Sequence, residues 1–319
     1  MWPIGNMTIR LEAGEDDAGR RLDRILRKAL PDYSLSLIHR LLRQGRVRLD
    51  GRPARPETKV HAGAVIQITT PERSRERPSP LGENSPVSCR LPEVLAKGAG
   101  IIVFNKPAGL ASHGPRSLDS AVKARHAEKP PSSLSFRPGP LHRLDRPTSG
   151  AIAFSQTAAG ARLFTDLMRE RRIAKTYLAI VEGRMSQNES FWTDDLVRDS
   201  ASKKTFVGGL GEALPMGKTA QTGIRVLARA DCFTLVEAAI ATGRTHQIRA
   251  QAAAHGHPLA GDVKYGGNPI PGGGFFLHAW KMAFDSDIEG LPLLIVAPPP
   301  KAFLDRMAGL FGGARLPEM

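Results

Sequence analysis

With 319 residues and 41% hydrophobic content, the chain can bury a core in one large domain and one smaller one. Its 45 Lys and Arg against 31 Asp and Glu give a formal charge of +14, which favours a polyanionic partner, nucleic acid ahead of an anionic membrane. No apolar run of about 18 residues and no basic amphipathic helix with exposed aromatics occurs, which excludes the membrane-spanning and membrane-surface classes.

The opening MWPIGNMTIRLEAGEDD lacks the basic and apolar regions of a secretory signal, so a cytoplasmic location is expected. The two cysteines, Cys89 and Cys232, lie far apart and outside any CxxC spacing, which suggests neither a disulfide framework nor a zinc site.

Residues 10–70 read as a small unit. In DAGRRLDRILRKALPD, Leu22, Ile25, Leu26 and Leu30 recur at helical spacing, Asp17 can cap the start and Pro31 ends the helix. A second helix follows in SLSLIHRLLRQG. Ser34 or Ser36 can cap it, Leu37, Ile38, Leu41 and Leu42 form its apolar stripe, and Gly45 suits a left-handed stop. VRLDGRP then holds an Asp-Gly turn, and AVIQIT reads as a strand. Residues 1–70 carry 13 Lys and Arg against 8 Asp and Glu, so the basic excess begins here.

The order GxRLDxxLxxxLP, SxSxIxRLxxxGxV and an Asp-Gly turn resembles the alpha-L RNA-binding domain over nearly all of residues 19–70. The resemblance implies that the second helix and the loop after it lie on structured RNA, with Arg40, Arg43 and Arg46 contacting phosphates.

Residues 71–98, rich in proline and mixed charge, read as a linker. From residue 99 the larger domain follows. IIVFNKP and GAIAFSQ are short apolar runs. SQTAAGARLFTDLMRERR is helical, with Leu163, Phe164, Leu167 and Met168 on one stripe. KTYLAIVEG is a strand, TGIRVLARADCFTLVEAAI a pair of strands, and THQIRAQAAAHG a helix stopped at Gly256. Strands adjacent in sequence across short turns predict an α+β fold with a mixed, mostly antiparallel sheet flanked by helices. The stretch 184–222 reads as an insertion that either shapes a cleft or forms a hairpin.

Over nine positions HRLDRPTSG, residues 142–150, resembles the catalytic signature of the RluA-type pseudouridine synthases. NKPAGL with His113, KTYLAIVEG and GRTHQIRAQAAAHGHPLAGDVKYG follow in that family's order, so the resemblance covers most of the chain. It implies an isomerase that breaks the bond from ribose to the base nitrogen of uridine, turns the uracil and rejoins it through carbon 5. That chemistry needs a carboxylate, a cation to aim it, a platform for the loose base and a dry site, and no metal or organic cofactor.

On the resemblance, Asp145 is the nucleophile or its equivalent, acting on either base or ribose. Arg249 pairs with it, and a nearby cation favours a carboxylate's charged form. Tyr177, one of three tyrosines in the chain, stacks on the target base and is a candidate to take the carbon 5 proton. Arg143 enters the RNA stack as the uridine leaves it, and Arg146 is ordinary RNA-facing charge.

The expected partner is RNA, large-subunit ribosomal RNA first and transfer RNA second, bound by a monomer. His246, His255 and His257 lie close together but without a carboxylate or cysteine at usual zinc spacing. Two other classes compete. A non-catalytic RNA-binding protein is disfavoured by the joint presence of Asp145, Tyr177 and Arg249. A hydrolase of a sugar bond needs a second carboxylate, for which Asp262 is available.

Overall fold

The structure is a computed structural model that describes residues 6–71, 90–127, 133–208, 217–312 and 316. The chain divides into two compact units. One comprises residues 1–89 with 121–139 and 156–159, and the other residues 90–120, 140–155 and 160–319.

In the first unit, β1 (Asn6–Glu12), α1 (Leu22–Ala29), α2 (Leu35–Arg43), β2 (Val47–Leu49), β3 (Arg52–Pro53) and β4 (Val65–Pro71) follow in order. The sheet order is β1-β4-β2-β3, antiparallel throughout. The stripes expected of the two helices bury Leu22, Ile25, Leu26, Leu37, Ile38, Leu41 and Leu42 against Val47, Ile66 and Ile68. Their helical spacing puts these side chains on one face, and the opposite face of α2 is left to Arg40 and Arg43, both exposed.

Ser34 caps α2, its Oγ accepting from the Leu37 N–H at 3.2 Å. Gly45, at φ +65°, ends the helix with its N–H on the Leu42 carbonyl, while the Arg46 N–H bonds the Leu41 carbonyl. Asp50 and Gly51 both have positive φ, as the tight turn between β2 and β3 requires.

Asp17 does not cap α1. The first helical N–H groups are satisfied by the carbonyls of Thr58 and Pro56 instead. Asp17 is fully buried, its carboxylate accepting from the N–H groups of Gly14, Leu134 and Ser135 and from the hydroxyls of Ser133 and Ser135. It therefore ties residues 133–135, remote in sequence, into the first unit. β1 is a further difference from the sequence reading, which began this unit at residue 10.

After β4 the chain continues through β5 (Val94–Gly98), β6 (Ile101–Lys106), α3 (Leu118–Ala127), β7 (Gly139–Pro140), β8 (Ser149–Ser155), α4 (Ala158–Arg169), β9 (Ile173–Glu182), β10 (Glu189–Asp199), β11 (Lys204–Val207), β12 (Lys218–Arg229), β13 (Phe233–Ile240), α5 (Gln247–Ala254), β14 (Leu277–Phe284), β15 (Leu294–Val296) and α6 (Lys301–Phe311), of which α3 ends, and β7 and α4 begin, in residues of the first unit. The main path of the sheet runs β11-β10-β12-β13-β9-β14-β8-β6-β5. Among the described strands the parallel pair is β14 with β8, and the sheet is mixed and mostly antiparallel, as expected.

β5 falls within the stretch read as linker, of which residues 72–89 and Cys89 lie outside the described residues. Cys232 is an exposed free thiol. The stretch 184–222 contributes the edge hairpin of β10 and β11, and its residues 209–216 lie outside the described set.

Phe164 and Leu167 of α4 pack on Ile101, Val103 and Ala153, while Leu163 and Met168 are half-buried beside them. β9 at the sheet's centre is covered on both faces, so its apolar residues do not alternate with polar ones. At Gly150, φ is +110° and an added Cβ would stand 2.2 Å from the Ala279 carbonyl oxygen. Only glycine lets β8 start this close to β14, which explains the Thr-Ser-Gly ending of the signature. No described helix is long and apolar enough to cross a membrane.

Burial pushes the Asp17 carboxyl upward, but its hydrogen bonds from Ser135, Leu134, Ser133 and Gly14 outweigh it and hold it below the ordinary carboxylate value. A lowered folded value adds stability above the unfolded carboxyl's range, near pH 4, and that contribution fades as pH falls through the folded value. Asp17→Ala, which leaves the buried Ser and N–H donors unpartnered, is expected to cost about 2–4 kcal/mol in urea unfolding at pH 7. The deficit should shrink on acidification; a deficit independent of pH would remove the linkage.

Candidate active site

Asp145 stands in the loop that leads into β8, and its backbone is fixed from both sides. The Ser112 hydroxyl donates to the Leu144 carbonyl at 2.7 Å and accepts from the Leu144 N–H at 3.1 Å. After Asp145, the Arg146 carbonyl accepts from the Gly109 N–H at 2.8 Å and from Lys106 Nζ at 3.3 Å.

Lys106 is wholly buried, and its ammonium donates also to the carbonyls of Leu110 at 2.7 Å and Pro107 at 3.0 Å. Burial lowers its pKa to about 8, and the charge of Asp145 acts in the opposite direction. NKPAGL thus supplies two of the three carbonyls that hold its own lysine, and the Asp145 loop supplies the third.

Arg249 comes from the first turn of α5. Its Nη1 donates to Asp145 Oδ2 at 2.8 Å, while Nε and Nη2 grip Asp262 Oδ2 and Oδ1 at 2.7 and 2.8 Å. The guanidinium lies between the rings of Phe275 and Tyr265, 4.4 and 4.8 Å from their centroids. The Asp262 side chain is 1% exposed, that of Arg249 8% and that of Asp145 16%, so exposure rises along the chain of charges toward Asp145. Burial disfavours the Arg249 cation, yet Asp262 and Asp145 more than compensate and raise its pKa.

His246, the residue before α5, adopts the left-handed conformation at φ +56°. That geometry is strained for a residue with a Cβ, and such strain collects at functional sites. It is held by Tyr265, whose hydroxyl lies 2.8 Å from His246 Nδ1 and accepts from the Thr205 N–H of β11 at 2.8 Å. The other ring nitrogen, Nε2, lies 3.6 Å from Asp145 Oδ2. Burial pushes His246 down to about 4, so it is neutral at physiological pH. Arg249 and His246 both face Oδ2. Among the described residues no donor reaches Oδ1.

Asp145, His246 and Arg249 line a cavity of about 210 Å³ together with Arg143, Tyr177, His142 and Lys175. Tyr177 of β9 is buried, and burial, reinforced by the charge of Asp145, pushes its phenol upward, so it stays protonated. Arg143 is exposed. The structure therefore brings Asp145, Tyr177, Arg249 and Arg143 to one cavity. Arg40, Arg43 and Arg46 belong to the first unit, with Arg46 half-buried. Arg146 donates from Nε to the Gly109 carbonyl at 2.9 Å and helps close the loop.

His255 and His257 are not gathered with His246. His255 stacks on Trp192 with 4.7 Å between centroids, and His257 Nδ1 lies 2.9 Å from the Glu182 carbonyl. Among the described residues no group of three metal-ligating side chains occurs.

The family description RNA pseudouridylate synthase matches residues 100–254, and the S4 domain matches residues 20–66. The ribosomal large subunit pseudouridine synthase C of Pasteurella multocida is 31% identical over 303 residues, spanning 90% of this chain and 89% of that protein. The protein of the same name from Haemophilus influenzae is 30% identical over 296 residues, 90% of each chain. The chain belongs to the RNA pseudouridylate synthase family, RluA type.

It is an isomerase that converts uridine to pseudouridine, and the small unit carries an RNA-binding S4 domain. The solved structure of human RNA Pseudouridylate Synthase Domain Containing 1 shares its fold, with a TM-score of 0.57 and 24% identity over 71% of this chain and 91% of that one.

The sequence reading passed over Tyr265, Lys106 and Lys175, weighed His246 only as one of three neighbouring histidines, and named Asp262 only as a rival's second carboxylate. All five stand inside the quoted motifs, but several of their contacts join residues far apart in the chain, as Tyr265 to Thr205 and His246 to Asp145. Asp262→Ala leaves Arg249 with one of its two carboxylates in a buried site, a change expected to cost about 3–5 kcal/mol in urea unfolding. A loss below 1 kcal/mol would mean that Asp262 does not anchor the guanidinium.

Proposed function

We propose that this enzyme isomerises uridine in large-subunit ribosomal RNA, with Asp145 as the reacting carboxylate. The observation that carries the assignment is the division of labour on that side chain: Oδ2 is held by Arg249 at 2.8 Å, and Oδ1 has no donor among the described residues. An oxygen that is aimed and uncommitted is what a nucleophile or base requires. Support for ribosomal RNA comes from the names of relatives alignable over 90% of the chain. Transfer RNA is the second reading.

In this reading the target uridine leaves the RNA stack, Arg143 fills the gap, and the base settles on Tyr177. Oδ1 acts on the nucleotide while Arg249 holds Oδ2. Tyr177 serves as the platform; as a phenol kept protonated by burial it is a poor acceptor for the carbon 5 proton. Asp262 is not available as the second carboxylate of a hydrolase, since both its oxygens accept from Arg249 and it is sealed from solvent. Residues 10–70 grip RNA through Arg40, Arg43 and Arg46, and residues 99–319 carry the chemistry.

The test uses unmodified large-subunit ribosomal RNA and transfer RNA transcripts, with nuclease digestion and mass spectrometry for pseudouridine and free uracil. Pseudouridine in the ribosomal transcript is expected, and the Asp145→Asn protein should form none while binding RNA within about twofold of the parent affinity. Turnover by Asp145→Asn would remove the carboxylate from the reaction, and free uracil would favour hydrolysis.

Replacing Arg40 and Arg43 together by Ala should weaken RNA binding and lower the slope of log affinity against log salt by about 0.7–0.9 per lost phosphate contact. An unchanged slope would place the phosphate contacts elsewhere.

A further inference from the structure

Two lysines of the second unit are buried, and they are treated in opposite ways. Lys106 surrenders its three protons to three carbonyls. Lys175 of β9 is 8% exposed, and among the described residues it has no hydrogen-bond or ion-pair partner. Burial alone lowers its pKa, to about 8, with no carboxylate acting to restore it.

A cation withdrawn from water without a counter-charge destabilises the fold. It is kept where something else is to meet it. Lys175 lines the same cavity as Asp145 and Tyr177. It lies two residues before Tyr177 on β9, so the two side chains leave the strand on one face. Its Nζ rests 3.6 Å from where a Cβ would stand on Gly243, a position that carries no side chain to cover it. The other titratable or charged groups of the lining are His142, which burial and the Lys175 charge push down to about 3, His246, Arg143, Arg244 and Arg249.

We propose that Lys175 is a catalytic residue that donates an N–H to a carbonyl oxygen of the uracil ring and stabilises the ring as an anion while it is detached from the ribose. The inference rests on the function proposed above. When the bond from ribose C1′ to N1 breaks, both electrons leave with the ring, and the charge spreads from N1 onto its carbonyl oxygens. The ring turns on Tyr177, C5 bonds to C1′, the proton on C5 passes to the Asp145 carboxylate and from there to water, and N1 takes one from water. Atoms and electrons balance with no oxidant or co-reactant. An ammonium in this pocket acts on the charge that develops in this sequence and contributes little to the neutral bound uridine.

The experiment places uridine or 5-fluorouridine at the modification site mapped by the preceding assay, in an otherwise identical synthetic RNA. It follows loss of the parent nucleoside in single turnover by the full-length protein, Lys175→Met and Lys175→Gln. Fluorine stabilises the ring anion by itself, so a variant without the ammonium should be handicapped less on that substrate. Lys175→Met is expected to slow uridine loss by about 100-fold or more. The deficit should shrink at least about tenfold with 5-fluorouridine, RNA affinity should stay within about twofold, and the melting temperature should hold or rise because an unpaired buried charge is gone. Lys175→Gln, which keeps an N–H without the charge, should show the same pattern with a smaller deficit.

Equal deficits on the two substrates, or a deficit explained by lost affinity, would overturn the assignment and point to a packing or phosphate-binding role. If the unsubstituted protein forms no pseudouridine in any RNA, the proposed function fails instead, and this inference falls with it.

Discussion

The chemistry of this fold depends on how one guanidinium is shared. Arg249 presents two parallel N–H groups along one edge and a further one at its end. Asp262, sealed in the core, takes the edge with both oxygens at 2.7 and 2.8 Å, and Asp145 takes the end with one. A bidentate contact fixes the plane of a guanidinium and a single contact does not. Asp262 therefore sets the orientation, and Asp145 receives a cation already aimed. Two aromatic rings close the faces of the same group, so its remaining freedom is small. Had Arg249 gripped Asp145 with its fork, both carboxylate oxygens would be occupied and neither could react.

The scaffold around this contact solves a second problem, that of holding a loop steady without surrounding the reactive side chain. Asp145 sits between Leu144, clasped by the Ser112 hydroxyl, and Arg146, whose carbonyl is taken by Lys106 and the Gly109 N–H. Backbone groups on both flanks are satisfied, and the side chain between them is free to face the cavity. The close approach of β8 to β14 at Gly150 fixes where the loop ends. Lys106 does this as a buried charge whose cost is offset by three carbonyls, an arrangement that only an ammonium with three diverging donors can make.

Much of this was legible in the residues. The stripes Leu22–Ile25–Leu26 and Leu37–Ile38–Leu41–Leu42 bury the faces that their spacing requires, and the Asp50–Gly51 turn has the dihedral angles its composition implies. Local signals report what a segment does with its neighbours a few residues away. They mislead where a distant partner competes: Asp17 looks like a helix cap, yet Ser133, Leu134 and Ser135 claim its carboxylate, and the helix it precedes takes its capping acceptors from Pro56 and Thr58.

β1 was missed although Met7, Ile9 and Leu11 alternate with exposed residues, because seven residues of alternation beside an acidic run make a short signal. In the site, HRLDRPTSG and GRTHQIR marked Asp145 and Arg249 as residue types in a known order. The roles of Asp262, His246 and Tyr265 could not be seen there, since each follows from a contact that exists only after the sheet has closed.

The cavity also shows which charges it suppresses. His142 is held down to about 3, His246 to about 4, and the Tyr177 phenol is pushed upward, so all three are neutral at physiological pH. Burial is the leading cause in each case. A ring that must leave one bond and form another is vulnerable to any acid within reach: a proton delivered to the loose uracil would quench its charge and let a neutral base diffuse away. Imidazolium at either histidine would be such an acid. By keeping these groups uncharged while Arg249 carries a positive charge that its two carboxylates hold in place, the pocket separates electrostatic stabilisation from proton donation. An isomerase needs that separation more than a hydrolase does, because its intermediate has to survive long enough to turn.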